Sequence, residues 1–215
     1  MLASGFRAWT SPVESTTLDM RWGYPGRARV RLLIDAERID EGISRIAGEI
    51  QSRYAPRPIL LVGVMTGCLV FLADLMRKLD LAVRVEVVRA SSYRGGMTAG
   101  TLEVDWGSLP VVDGQHVVLV DDIFDTGQTL SALVTRFREL GAQSVASAVL
   151  LSKQGRSRVE LVPDFVAFEI PDLFVVGYGL DYQDQLRHLP YVAVLESQDL
   201  EMTEPKTSER DSTET

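Results

Sequence analysis

The chain has 215 residues, 46% of them hydrophobic, which is enough for one domain with a real core and ragged ends. Thirty acidic against 22 basic residues give a net charge of −8, so a polyphosphate backbone is repelled and nucleic acid is a poor first choice of partner. A single cysteine, Cys68, excludes an internal disulfide and a cysteine-rich zinc site, and this fits a cytoplasmic protein.

The start, "MLASGFRAWTSP", lacks the basic and apolar stretches of an export signal. Residues 1–28 mix Gly, Pro, Ser, Thr and Arg without a period and read as a flexible arm. An ordered domain is expected over residues 29–196. It opens with the strand "RVRLLI", and Asp35 then caps a helix whose Ile39, Ile43, Ile46 and Ile50 share one face. Residues 58–73 carry no charge, but they are short for a membrane span and broken by Gly63, Thr66 and Gly67. They read as the strand "ILLVGVM", a tight turn, and a helix over Leu69–Leu79, with no membrane involved.

"VRVEVVRASSY" is the next strand, and "RGGMTAG" at residues 94–100 has the composition of a mobile loop. "VVLV" at residues 117–120 is a continuous apolar strand, the pattern of burial on both faces. A helix over Thr129–Leu140 stops at Gly141, and "SVASAVLL", "DFVAFEI", "FVVGYG" and "YVAVLE" supply further strands. Strands alternating with helices predict a doubly wound, mostly parallel α/β sheet. Residues 197–215 form an acidic tail with almost nothing apolar, expected to be disordered.

The chemistry concentrates in "VVLVDDIFDTGQTL", residues 117–130. In parallel sheets ligands bind at the carboxyl ends of the strands, where Asp121 and Asp122 are expected. The helix start after them offers unpaired N–H groups to an anion; Gly127 permits close approach, and Thr126 and Thr129 can donate. The spacing and lysine of a Walker A loop are missing. Asp121 and Asp122 suit vicinal hydroxyls or a magnesium shell, and Asp125 can accept a proton. Hydroxyls, a metal and one phosphate together describe a sugar phosphate. A phospho-receiver domain also pairs acids at strand ends, but it wants a further Asp and a placed Lys and has no need of the Thr-Gly turn.

This stretch resembles the phosphoribosyl-pyrophosphate signature of type I phosphoribosyltransferases. "ASSYRGG", "LLSKQGR" and "PDFVAFEIPDLFVVGYGLDYQDQLRHLPYV" narrow the resemblance to the hypoxanthine-guanine branch, over about Val30 to Leu195. The resemblance implies the family sheet with a small hood, and a reaction of hypoxanthine or guanine with phosphoribosyl pyrophosphate. It implies that Asp121 and Asp122 hold the ribose hydroxyls and that Asp125 assists the proton at purine N7. Asp125, Thr126, Gly127, Gln128 and Thr129 would wrap the 5′-phosphate. Thr66 and Gly67 would meet pyrophosphate through backbone N–H groups, with Arg187 beside them. Lys153 would donate to the purine 6-oxo group, Phe174 would stack on the ring, and the Val175 backbone would read its edge. Asp181 would ligate Mg2+, Ser92 and Tyr93 would lead a lid, and the assembly would be a homodimer or homotetramer.

Two positions depart from the family pattern. Thr66 stands where Lys or Arg is common, and Asp121 where Glu is more usual. A second reading is a regulator on the same fold that binds phosphoribosyl pyrophosphate or RNA without turnover. The acidic composition and the retained Asp125, Lys153 and Asp181 favour the enzyme. Xanthine stays open as a substrate, whereas the 6-amino group of adenine cannot accept from Lys153.

Overall fold

A computed structural model describes residues 17–22, 26–92 and 102–195. The strands and helices are β1 (Thr17–Trp22), β2 (Gly26–Ile34), α1 (Ala36–Tyr54), β3 (Ile59–Met65), α2 (Leu69–Lys78), β4 (Val83–Ser92) and β5 (Leu102–Val104). There follow β6 (His116–Phe124), α3 (Gln128–Glu139), β7 (Ser144–Lys153), β8 (Phe165–Ile170), β9 (Val175–Val176) and β10 (Val192–Leu195).

The larger sheet has the order β5-β4-β3-β6-β7-β8. Its neighbours pair in parallel from β4 to β8, and only β5 is antiparallel, at the edge. Alternation along β3 and β6 explains their unbroken apolar runs. Leu61, Val118 and Val120 face the cluster that holds α1 and α2, while Leu60, Val62, Val117 and Leu119 face the cluster that holds α3. Both faces are therefore covered, as parallel sheets require. Each fully buried aliphatic side chain contributes roughly 1.5–3 kcal/mol to that burial.

From β3 the chain steps to β4 on one side and later returns to β6 on the other. The carboxyl ends of β3 and β6 thus flank the point where strand order reverses, the crevice where open α/β sheets bind ligands.

A second, antiparallel sheet of order β1-β2-β10-β9 forms the hood. It corrects the expected arm. Thr17–Trp22 pairs residue by residue with Gly26–Arg31 instead of lying loose. The alternation in "TLDMRW" suits a strand, but it is short and isolated among turn-forming residues, and only pairing with β2 reveals it. Residues 1–16, the acidic tail and Tyr93 with the 94–100 loop lie outside the described residues.

Elsewhere the boundaries shift rather than the elements. The acidic strand runs on through Asp121 and Asp122 to Phe124, with Asp121 opposite Val149 and Phe124 opposite Ser152 in β7. The "FVVGYG" strand shrinks to two residues, because Gly177, Tyr178 and Gly179 adopt positive φ and turn the chain. Among the described residues no helix is long and apolar enough to cross a membrane.

Asp35 caps α1 as expected, its Oδ1 accepting from the Arg38 N–H at 2.8 Å. Asp35→Ala is expected to cost about 1 kcal/mol of stability through the lost cap, read as a lower urea midpoint at unchanged slope.

Candidate active site

Three segments converge at the switch point. One is the turn after β3, Thr66 to Cys68, entered through a cis peptide bond between Met65 and Thr66. Another is the end of β6 with the turn into α3. The third is the hood segment between β9 and β10. Their closeness is recorded by glycines. A Cβ at Gly67 would overlap the Asp122 carboxylate, and a Cβ at Gly179 would overlap the Gly67 carbonyl oxygen. Gly127, at φ 77, could carry no side chain without meeting the Phe124 ring and Val159.

The two helices that begin here, α2 and α3, have no side-chain cap: Cys68 and Gly127 occupy the cap positions and neither side chain accepts from the helix. The Leu69 N–H donates to the Thr66 carbonyl at 3.2 Å. Apart from it, each helix start presents N–H donors without a side-chain acceptor, and the positive end of its dipole, to whatever lies in the crevice. Thr66 and Gln128 are exposed, and Thr126 and Thr129 are half-buried beside them. The Arg158 N–H donates to the Thr126 carbonyl at 3.0 Å, which ties the loop after β7 to this turn.

Asp121 is buried and its Oδ1 accepts from the Asp122 N–H at 3.0 Å. Burial, and then the charge of Asp122, pushes its carboxyl well above the usual carboxylate range. Burial raises Asp122 too; the hydrogen bond with Asp121, backbone N–H groups and the Arg187 charge hold that rise back. Adjacent acids that burial disfavours as anions gain most from hydroxyl donors or a cation in the crevice. Cys68 lies fully buried beneath them, and burial pushes its thiol far up, so it stays protonated and packs as a small apolar group.

Asp125 lies beyond the strand. Its Oδ1 accepts from Arg156 Nε at 2.9 Å, and its Oδ2 is 3.7 Å from Lys153 Nζ. Lys153, at the end of β7, also meets Asp172 Oδ1 at 3.3 Å. Phe174 is 43% exposed and touches the Tyr182 ring edge-on, with centroids 5.9 Å apart. Val175 behind it is buried in β9. In the hood, Arg187 Nη2 pairs with Asp181 Oδ1 at 2.8 Å, and Arg187 Nη1 donates to the Gly179 carbonyl at 2.8 Å. Ser92 closes β4 opposite Leu102 in β5.

The structure thus gathers the residues from β3, β6 and the hood into one crevice, with Lys153 and Phe174 beside Asp125 and Tyr182. Arg156, Asp172 and Tyr182 were not picked out from the sequence as site residues. Arg156 lies in "LLSKQGR" and Asp172 in "EIPDLF", but nothing local distinguishes them from solvated charges; their signal is the pairing with Asp125 and Lys153.

A family model described as a phosphoribosyl transferase domain matches residues 33–183. The hypoxanthine-guanine phosphoribosyltransferase of Streptococcus pneumoniae (strain R6) is 37% identical over 169 residues, covering 78% of this chain and 94% of its own. That of Aquifex aeolicus is 39% identical over 170 residues, covering 78% of this chain and 96% of its own. A crystal structure of a hypoxanthine-guanine phosphoribosyltransferase from Bacillus anthracis superposes with a TM-score of 0.70 at 32% identity, covering 77% of this chain and 96% of that one. A mutant hypoxanthine phosphoribosyltransferase from Trypanosoma cruzi, in a ternary substrates complex, gives 0.72 at 34% identity, covering 80% and 97%.

An open parallel sheet with two bare helix starts at its switch point, closed by an antiparallel hood, is the build of a type I phosphoribosyltransferase. The chain belongs to the phosphoribosyltransferase domain family. Within it, the relatives place the chain in the hypoxanthine-guanine branch.

The packing of Gly67 against Asp122 generates a test. Gly67→Ala is expected to leave the far-ultraviolet circular dichroism unchanged while weakening phosphoribosyl-pyrophosphate binding about tenfold or more, measured by calorimetry, because the added methyl displaces either the turn or the carboxylate.

Proposed function

We infer that this chain is a purine salvage enzyme that joins hypoxanthine or guanine to phosphoribosyl pyrophosphate, giving IMP or GMP and pyrophosphate. The observation that carries this reading is the pair of uncapped helix starts, α2 and α3, facing one crevice across the adjacent carboxylates of buried Asp121 and half-buried Asp122. The ligand has matching parts: a 5′-phosphate, a pyrophosphate, and vicinal hydroxyls between them. The start of α3, with Asp125, Thr126, Gly127, Gln128 and Thr129, takes the 5′-phosphate. The Thr66–Gly67 turn and α2 take pyrophosphate, with Arg187 across from them. Asp121 and Asp122 accept from the ribose hydroxyls, which relieves the cost of adjacent acids whose anions desolvation disfavours.

In the reaction the bond from ribose C1 to the pyrophosphate oxygen breaks and a bond from C1 to purine N9 forms. The oxygen keeps the bonding electrons and leaves as pyrophosphate, so positive charge develops on the sugar ring. Asp125 accepts the proton leaving N7 as N9 attacks, which keeps the product neutral at the purine. Lys153, almost buried, donates to the 6-oxo group. Phe174 stacks on the base, its exposed face supporting that role, and the Val175 backbone reads the ring edge. Ser92 and Tyr93 lead a lid that keeps water from the cationic sugar.

Mg2+ is the expected cofactor, with Asp181 as its protein ligand. The donor set suits it. Asp181 is a half-buried carboxylate, and one or two carboxylates completed by water and substrate phosphates are how magnesium is held. When bound, the ion neutralises charge on the departing pyrophosphate. Before that, Arg187 holds the Asp181 carboxylate in place. Thr66 supplies no charge where relatives of this kind commonly carry a base, so pyrophosphate depends on backbone donors and Arg187. We expect a cytoplasmic homodimer or homotetramer; Val85 and Val87, exposed on β4, support an assembly surface.

The deciding experiment is an ultraviolet assay with Mg2+ and phosphoribosyl pyrophosphate, offering hypoxanthine, guanine, xanthine and adenine in parallel. Nucleotide is expected from hypoxanthine and guanine and not from adenine. No product from any base, with folded protein that still binds phosphoribosyl pyrophosphate, would overturn the enzyme reading in favour of a regulator. Asp125→Asn is expected to lower turnover by roughly 10²-fold or more at nearly unchanged phosphoribosyl-pyrophosphate affinity. Turnover within a factor of two of the parent would remove Asp125 from that role.

A further inference from the structure

Four charged side chains on the purine side of the crevice form a closed ring. Arg156 Nε reaches Asp125 Oδ1 at 2.9 Å, and Arg156 Nη1 lies 3.5 Å from Asp172 Oδ2. Lys153 Nζ lies 3.3 Å from Asp172 Oδ1 and 3.7 Å from Asp125 Oδ2. Each cation therefore faces both anions, and the ring is neutral. It is also graded in depth. The Lys153 and Asp125 side chains are 9% and 14% exposed, whereas those of Arg156 and Asp172 are 40% and 50% exposed.

The inner edge, between Lys153 and Asp125, is the longest of the four and lies beyond hydrogen-bond length. It is also the edge that the reaction needs. A 6-oxopurine carries an acceptor at O6 next to a donor at N7–H. Lys153 can only donate, and an ionised Asp125 can only accept, so the base edge matches the gap between them group for group. Entry of the base there separates two almost buried opposite charges. Left alone, each would lose its counter-ion in a site largely closed to water, which is costly. Here neither is left alone, because Asp172 stays on Lys153 and Arg156 stays on Asp125.

Resting on the purine reading above, we propose that Arg156 and Asp172 are positioning residues for catalysis. They stay paired with Asp125 and Lys153 while a 6-oxopurine parts those two, and they hold the proton acceptor and the 6-oxo donor in the plane of the base. Neither touches the reacting atoms. A 6-aminopurine turns a donor toward Lys153 and cannot replace the contact it breaks, so the ring also opposes its entry. Exposed ion pairs add little to folding, so the outer members are expected to matter for base use and not for stability.

The test compares Arg156→Gln, Asp172→Asn and Arg156→Lys with the parent protein in the hypoxanthine assay, with thermal melting as the control for folding. Arg156→Gln and Asp172→Asn are each expected to lower kcat/KM for hypoxanthine about tenfold, with KM for phosphoribosyl pyrophosphate within twofold of the parent and melting unchanged. Arg156→Lys is expected to recover part of the loss, since it returns a charge beside Asp125. Adding Arg156→Gln to Asp125→Asn is expected to cost little further, because the arginine acts through that carboxylate. Glutamine and asparagine variants with kcat/KM for hypoxanthine within twofold of an active parent overturn the proposal and leave the enzyme reading standing. Equal losses in hypoxanthine and phosphoribosyl-pyrophosphate use also overturn it. A parent protein that turns over no purine overturns the enzyme reading and this proposal together.

Discussion

Two backbone segments and one carboxylate approach one another more closely than an added side chain would allow, and much of the site depends on that approach. Gly67 lies against the Asp122 carboxylate on one side, while its carbonyl oxygen lies against Gly179 of the hood on the other. The turn after β3 is thus squeezed between the central strand and the hood. Because α2 starts directly after that turn, its uncapped start borders the same crevice as that of α3. A bulkier residue at either glycine would push the turn after β3 away from the end of β6 or from the hood. The sheet explains why these segments are near one another at all, since the switch in strand order leaves a gap between the ends of β3 and β6.

The electrostatics follow the same geometry. The end of β6 is acidic, with Asp121 buried and Asp122 half-buried, and desolvation raises both carboxyls. Around the end of β7, Lys153 and Arg156 pair with Asp125 and Asp172. A net charge of −8 over the chain therefore says little about the crevice, where local pairing and helix ends decide what binds. The positively charged groups are few and each is held: Arg187 by Asp181 and a carbonyl, Lys153 and Arg156 by carboxylates.

Much of this was legible in the sequence, for identifiable reasons. The parallel sheet announced itself through "ILLVGVM" and "VVLV", whose apolar runs are what two covered faces demand. α1 was set by Asp35 and four isoleucines at helical spacing. The acidic turn was readable because its carboxylates and Thr-Gly step are contiguous in the chain. What escaped were features made by distant pairing. β1 exists because β2 lies beside it, and "FVVGYG" breaks after Val176 because the next residues must turn at positive φ to carry Asp181 and Arg187. Arg156 and Asp172 look like ordinary surface charges until Asp125 and Lys153 are seen between them.

The hood is stitched from both ends of the chain. β2, near the start, is flanked by β1 and by β10, and β9 attaches only through β10. This sets an order of events during synthesis. The layers around β3, β6 and β7 can pack as soon as those strands have left the ribosome, since domains generally fold from the N-terminal side as they emerge. β2 must wait, with one edge open, until Val192–Leu195 arrives. Phe174, Asp181 and Arg187 gain their fixed positions only then. A chain that lacks Val192–Leu195 can own a nearly complete parallel sheet and still have no closed crevice, so competence arrives only with that strand.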